Sequence, residues 1–173
     1  MKIVLVRHPA PAIAAGVCYG RLDLALRDDA EAEVTRIVAA VIAHRPIRVW
    51  SSPARRCRAV AERCGLALRI DARLLELDFG RWEGLAWDAV PRESLDAWAA
   101  DPMGFAPPGG ETGAALLDRV ASLHRDVSEA DEDCAIIAHG GPLKLLAALL
   151  RGEPPDLLAP APPIGSVALI TLS

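Results

Sequence analysis

Apolar positions follow two periods along this chain. Ile3-Val4-Leu5-Val6 is an unbroken apolar run rich in β-branched side chains, which predicts a strand buried on both faces. The run stops at Arg7-His8, so two polar side chains stand where the strand leaves the sheet. Residues 47–50, 66–70, 134–138 and 167–172 are further short strand candidates. Between them the period becomes helical. Val34, Ile37, Val38, Val41 and Ile42 share one helix face, with Asp28 or Asp29 as cap and Pro46 as stop. Ser51-Ser52-Pro53 reads as a helix start, serine at the N-cap and proline at the first helical position. The stripe Cys57, Val60, Ala61, Cys64 follows, and Gly65 ends it. A long helix is expected to open at Gly109-Gly110-Glu111-Thr112, with Ala115, Leu116, Val120 and Leu123 inward and Glu111 favouring the dipole. Pro142 suits the first helical position of a last helix, which runs through Leu150.

Strands alternating with helices predict an α/β fold. The expected form is a three-layer α/β/α sandwich with a mostly parallel central sheet and helices on both faces. One interval breaks the pattern. Residues 80–110 hold short helical stretches at 81–89 and 95–100, the latter with Ser94 as cap, then a Pro/Gly-rich loop. This interval also holds Trp82, Trp87 and Trp98, and reads as a small lid insertion over the sheet edge. Residues 154–165 are a proline-rich surface loop. No repeat or linker divides residues 1–173, so a single domain carrying the 80–110 insertion is expected.

Composition narrows the function classes. A hydrophobic fraction of 52% argues against disorder, and a net charge of -4 gives no reason to expect nucleic acid or an anionic membrane as partner. The first apolar run is too short for a signal peptide and no stretch is long enough to span a bilayer, so a cytoplasmic protein is expected. Cys18, Cys57, Cys64 and Cys134 show no C-x-x-C pair and read as reduced core cysteines. His8, His44, His124 and His139 lack metal-ligand spacing, so neither a metal nor another cofactor is expected.

Chemistry concentrates at strand ends. One strand stops at Arg7-His8, a second runs into a helix bearing Arg55, Arg56 and Arg58, and a third stops at His139-Gly140-Gly141. Three cations in the first turns of a helix oppose its dipole, which fits an anion nearby. If the strands are parallel, their carboxyl ends share one crevice. Imidazoles, guanidiniums and helix N-termini together suit a phosphate or a comparable oxyanion.

Five blocks of residues carry a resemblance. They are Leu5-Val6-Arg7-His8, Ser51-Ser52-Pro53-Ala54-Arg55-Arg56, Leu75-Glu76-Leu77-Asp78-Phe79-Gly80-Arg81-Trp82-Glu83-Gly84, Pro108-Gly109-Gly110-Glu111 and Ala138-His139-Gly140-Gly141. In order and spacing they resemble the histidine phosphatase superfamily, the phosphoglycerate-mutase-like fold. Within it, the loop Gly16-Val17-Cys18-Tyr19-Gly20-Arg21-Leu22-Asp23 is similar to that of the α-ribazole phosphatases of cobalamin synthesis. The resemblance implies a metal-independent phosphomonoesterase. His8 would be the nucleophile, giving a phosphohistidine. Arg7, Arg56 and His139 would hold the phosphoryl oxygens beside Gly140, and Glu76 would be the proton donor. Glu83, seven residues on, is the competing carboxylate. The family's usual glycine after the nucleophile is Pro9 here, and its loop Thr and Asn are missing, so Tyr19 or Arg21 is expected to supply phosphate contacts.

The leading substrate is α-ribazole 5′-phosphate. A broad-specificity small-molecule phosphatase, a phosphoglycerate mutase, a protein phosphohistidine phosphatase in signalling and an inactive binding module are the alternatives. The partner expected is a small phosphomonoester, and self-association as a homodimer stays open.

Overall fold

The position of the first strand follows from its burial. In the computed structural model, which describes residues 1–172, β1 (Lys2–Arg7) carries four consecutive buried residues from Ile3 to Val6. Such a strand must be covered on both faces and flanked on both edges. It lies inside a five-stranded sheet with β2 (Arg48–Ser51), β3 (Ala67–Ile70), β4 (Cys134–Ala138) and β5 (Val167–Thr171), in the order β3-β2-β4-β1-β5. The pairs β1–β4, β4–β2 and β2–β3 are parallel, and only β5 runs antiparallel, against β1.

Helices cover both faces. Val4, Val6, Val49, Ala135 and Ile137 pack with α1 (Glu31–Ala43) and α2 (Arg55–Ala61). Ile3, Leu5, Trp50, Ile136 and Ala138 face the other way, onto α4 (Gly113–Ala130) and α5 (Gly140–Arg151). The alternation of side chains along each strand thus builds two cores from one sheet. This is the three-layer α/β/α arrangement expected. All four cysteines are buried and unpaired. Among the described residues no helix is long and apolar enough to cross a membrane.

The helix after β1 lies on one face of the sheet and the helix after β4 on the other, although the two strands are neighbours. Their chains part company at the carboxyl ends and leave a crevice there, the usual binding position of an open α/β sheet.

Several boundaries differ from the sequence expectation. α1 begins at Glu31 behind Ala30, with no side-chain cap from Asp28 or Asp29. α2 begins at Arg55 behind Ala54, because Ser52 is drawn into the sheet-end site and Pro53 stays outside the helix. α5 begins at Gly140 with His139 as N-cap, which moves Pro142 to the third helical position. Ala115 is exposed, and Val127 completes the buried stripe of α4. Residues 81–89 form two separate 3₁₀ turns, Gly80–Trp82 and Trp87–Ala89, in place of one helix. α3 (Arg92–Ala100) follows Pro91, and Ser94 lies inside it.

The segment from 80 to 110 has a small core of its own. Trp82 and Val90 are buried with Cys18, packed against Phe79, Trp87, Leu95, Trp98 and Phe105. Its two ends meet backbone to backbone. Arg81 N–H donates to Pro108 O at 2.9 Å, and Glu111 N–H donates to Asp78 O at 2.9 Å. Gly80, at φ +53°, sits in this contact, and a Cβ there would strike Pro108 O and Gly110 N. Gly109 also has positive φ, yet its missing Cβ faces open space. Gly109→Ala should therefore cost only the left-handed strain, about 1–2 kcal/mol. Gly80→Ala should cost clearly more, since main chain has to move. Urea unfolding of both variants checks this, and equal losses would contradict the backbone contact.

Candidate active site

The parallel pairing of β1 with β4 sets Arg7 opposite Ala138, so the next residues, His8 and His139, leave the sheet side by side. His8 N–H still reaches Ala138 O at 3.2 Å. The two imidazoles lie 5.0 Å apart, edge to face, and both are almost fully buried.

His8 Nδ1 lies 2.7 Å from Pro9 O. A carbonyl only accepts, so Nδ1 carries the proton and Nε2 keeps its lone pair. Arg56 Nε–H donates to that Nε2 at 3.3 Å. Burial lowers the His8 pKa most. The Pro9 hydrogen bond opposes this, the charges of Arg56 and Arg7 add to it, and the ring is left at about 3. His8 is therefore a neutral imidazole at ordinary pH. Pro9, which the sequence suggested only as a lost N–H donor, supplies the carbonyl that fixes the tautomer.

Arg56 is wholly buried, the one member of the α2 arginine cluster to be so. Its Nη1 and Nη2 donate to Leu22 O and Gly20 O, each at 2.7 Å, and it faces the Tyr19 ring at 5.5 Å. The loop 16–23 and α2 are thereby locked together around His8. Arg58 instead pairs with Glu62 on the surface. His139 Nε2 lies 2.8 Å from Ser52 Oγ, and its pKa is held well below the usual value, first by burial and then by His8, Arg56 and Arg7.

In front of His8 opens a cavity of about 230 Å³. Of the residues singled out in the sequence, Arg7, Tyr19, Glu76 and Gly140 line it, whereas Arg56 and His139 are buried and do not. Arg7 Nη1 donates to Pro162 O at 2.6 Å, and Arg7 Nε has no partner among the described residues. Glu76 aims its carboxylate at the N-terminus of α5: Gly141 N–H donates to both oxygens, at 3.1 and 3.2 Å, and Leu77 N–H donates at 3.0 Å. A Cβ on Gly141 would displace Glu76 Oε1 from its place against the Gly141 N–H.

Two candidates lie elsewhere. Arg21 turns away from the cavity, its Nε donating to Glu76 O at 3.1 Å and its Nη2 to Glu111 at 3.2 Å. Glu83 accepts from the N–H groups of Arg21, Leu22 and Phe79, at 2.8, 2.7 and 3.1 Å, so it braces the loop after Tyr19.

Three features were not read from the sequence. Ser52 partners His139, although its position before a proline pointed to helix capping. Lys144 reaches the cavity wall one helical turn after Gly140, with Nζ donating to Leu157 O and to Ala159 O. The proline-rich loop supplies Leu157 and Ala161 to the same wall. Only the spacing of Lys144 from Gly140 along one helix could have signalled the second.

Known proteins share this sequence and architecture. The glucosyl-3-phosphoglycerate phosphatase of Mycolicibacterium vanbaalenii is 30% identical over 172 residues, which cover 90% of this chain and 76% of that protein. Phosphoserine phosphatase 1 of Hydrogenobacter thermophilus is 24% identical over 162 residues, covering 88% of this chain and 77% of its own. The solved structure of the alpha-ribazole phosphatase from Shigella flexneri shares the fold at a TM-score of 0.89 and 23% identity, covering 100% of this chain and 91% of that one. The family model of the histidine phosphatase superfamily (branch 1) matches residues 3–172, nearly the entire chain, and the protein belongs to that superfamily as a phosphatase.

Proposed function

We propose that this phosphatase hydrolyses a phosphomonoester through a phosphohistidine on His8 Nε2. The observation that carries the reading is the tautomer. A neutral imidazole, held in the Nδ1–H tautomer by its bond to Pro9 O, keeps its lone pair on Nε2, where one long bond from Arg56 Nε–H, at 3.3 Å, gives way to phosphorus. In the first step Nε2 attacks phosphorus and the P–O ester bond breaks. Glu76, protonated, gives its proton to the departing alkoxide, which leaves as the alcohol. In the second step water attacks phosphorus, the Glu76 carboxylate takes its proton, and the P–N bond breaks to release phosphate and neutral His8. Arg7, Arg56 and the Gly140 N–H at the N-terminus of α5 oppose the charge on the transferring group.

For the alcohol we propose α-ribazole, so that α-ribazole 5′-phosphate is the substrate. Two observations support it: the likeness of loop 16–23 to that of the α-ribazole phosphatases, and a cavity wall of Tyr19, Phe79, Trp87 and Trp98 on which a flat base can pack. Trp82, the third tryptophan of the lid segment, is stacked on Phe105 inside the small core and takes no part. One observation favours a second reading. Lys144 lines the cavity and has no carboxylate partner among the described residues, and both curated relatives are named for phosphate esters that carry a carboxylate. Steady-state kcat/KM for α-ribazole 5′-phosphate, glucosyl-3-phosphoglycerate and phosphoserine decides between them. A preference for the first should come with a change in tryptophan fluorescence on binding. A preference for either acid overturns the α-ribazole reading.

The acid is tested by leaving group. Glu76→Gln should slow hydrolysis of an alkyl phosphate by at least about tenfold, the lower edge of what a lost general acid costs. Read as kcat/KM, which reports the transfer to His8 and not the later hydrolysis shared by all esters, the loss should be much smaller for p-nitrophenyl phosphate, because p-nitrophenolate departs without a proton. Glu83→Gln should show no such difference between esters, since its carboxylate braces the loop after Tyr19 and does not line the cavity. The reverse pattern would move the acid to Glu83.

The buried histidines also predict how stability follows pH. Both pKa values are lowered in the folded protein, so the unfolded chain binds more protons below about pH 6.5. The stability associated with neutral His8 and His139 should be full above about 6.5 and fall as the pH drops, the His8 part being lost toward about 3. Urea midpoints between pH 7 and 4 should therefore decrease, and the decrease should shrink in His8→Gln. A slope unchanged by that substitution would contradict the burial of a neutral His8.

A further inference from the structure

We infer that Arg119 and Glu111 are positioning residues for Glu76, holding the backbone from which the acid projects; the inference rests on the reading of Glu76 as the proton donor. The segment between β3 and the lid belongs to no strand, so its carbonyls lack sheet partners. Unpaired and partly buried, they would be costly. One guanidinium on α4 takes three of them. Arg119 Nη1 donates to Arg73 O and Leu75 O, both at 2.6 Å, and Nη2 donates to Glu76 O at 3.0 Å. The remaining N–H groups go to Glu111: Nε to Oε1 at 2.8 Å and Nη2 to Oε2 at 2.9 Å. All five donors of the planar fork are engaged, a set that lysine, with three donors on one atom, cannot reproduce.

Glu111 completes the frame. Its Oε2 also accepts from Arg21 Nη2 at 3.2 Å and from Asp78 N–H at 3.3 Å, while its own N–H donates to Asp78 O. Both polar groups of the Asp78 backbone are thus held by one residue. Arg21 Nε adds a second donor to Glu76 O. The Glu111 and Arg119 side chains are only 12% and 15% exposed, so water competes poorly for these bonds. Burial pushes the Glu111 carboxyl up, but the bonds and charge of Arg119, the charge of Arg21 and the Asp78 N–H together hold it below the usual range. Glu111 therefore stays ionised and balances one of the two guanidiniums that meet at Glu76.

Glu76 is gripped from two sides. Its backbone is tied to α4 through Arg119, and its carboxylate is tied to the N-terminus of α5 through Gly141 N–H. Loosening the first grip leaves the carboxylate present but misaimed, and misplacement by about 1 Å can cost on the order of 10²-fold in rate. The motif Pro108-Gly109-Gly110-Glu111 then has a purpose beyond starting α4, for which Thr112 already provides the cap, accepting from Ala115 N–H at 3.1 Å.

The test is the leaving-group comparison made on Arg119→Lys, on Glu76→Gln and on the double variant, with circular dichroism and thermal unfolding to confirm the fold. Arg119→Lys should lower kcat/KM for an alkyl phosphate about tenfold more than for p-nitrophenyl phosphate, since kcat/KM reports the transfer to His8 and not the hydrolysis shared by both esters. In the Glu76→Gln background it should add no further discrimination between the two esters, because the residue it positions is gone. If Arg119→Lys folds poorly, Glu111→Gln keeps the side-chain volume and should show the same discrimination. Equal losses on both esters, or discrimination that adds to that of Glu76→Gln, would overturn the inference while leaving the acid assignment intact. Absence of discrimination in Glu76→Gln itself would overturn the acid assignment and this inference with it.

Discussion

The parallel pairing of β1 with β4 is the constraint on which the site depends. It makes Arg7 and Ala138 partners, sends α1 and α5 to opposite faces, and leaves two histidines together in the crevice between them. A slip of one residue would turn every side chain of β1 to the other face. Ile3, Val4, Leu5 and Val6 are all buried, but in two different cores, so both cores resist that slip. The hydrophobic patterning therefore fixes the distance between His8 and His139. Stability and chemistry meet at the same strand ends.

Around that pair the protein must bury polar groups it cannot discard. His139 is met by the Ser52 hydroxyl, and most of the others are given a backbone partner. His8 Nδ1–H goes to Pro9 O, Arg56 goes to two carbonyls of the loop 16–23, Arg7 to Pro162 O, and Glu76 to Gly141 N–H. Each bond is modest in net free energy, about 0.5–1.5 kcal/mol, but leaving such a group unpaired would cost about 1–3 kcal/mol or more. The effect is to fix side-chain direction, so that little rearrangement is needed when charge develops.

Much of this was legible in the sequence. The run from Ile3 to Val6 announced a doubly covered strand, and the three polar strand ends announced a shared anion crevice, because both follow from local periodicity and from the geometry of parallel sheets. Arg55, Arg56 and Arg58 were flagged together by their unfavourable place at a helix N-terminus, and the family resemblance picked Arg56 from the three. Helix starts were less legible. Ser52 and Pro142 have the chemistry of capping positions, yet Ser52 partners a buried histidine and Pro142 is the third residue of α5. Arg21 and Glu111 were read as a phosphate contact and a dipole partner, but they meet each other through a fold that brings residues 90 positions apart into one ion network. No local pattern encodes that meeting. The two 3₁₀ turns of the lid segment were missed for a related reason: its small aromatic core, and not a periodic stripe, decides its conformation.

The central claim is that covalent chemistry occurs at His8 Nε2, and the most direct measurement is to trap the intermediate. Rapid quenching in alkali during turnover of a ³²P-labelled phosphomonoester, followed by peptide mapping and ³¹P NMR, should place the label on His8 as the Nε2-phosphoramidate. The label should be stable to base and lost in acid, and His8→Ala should show neither label nor turnover. Label on any other residue, label on Nδ1 of His8, or full activity in His8→Ala would contradict the account.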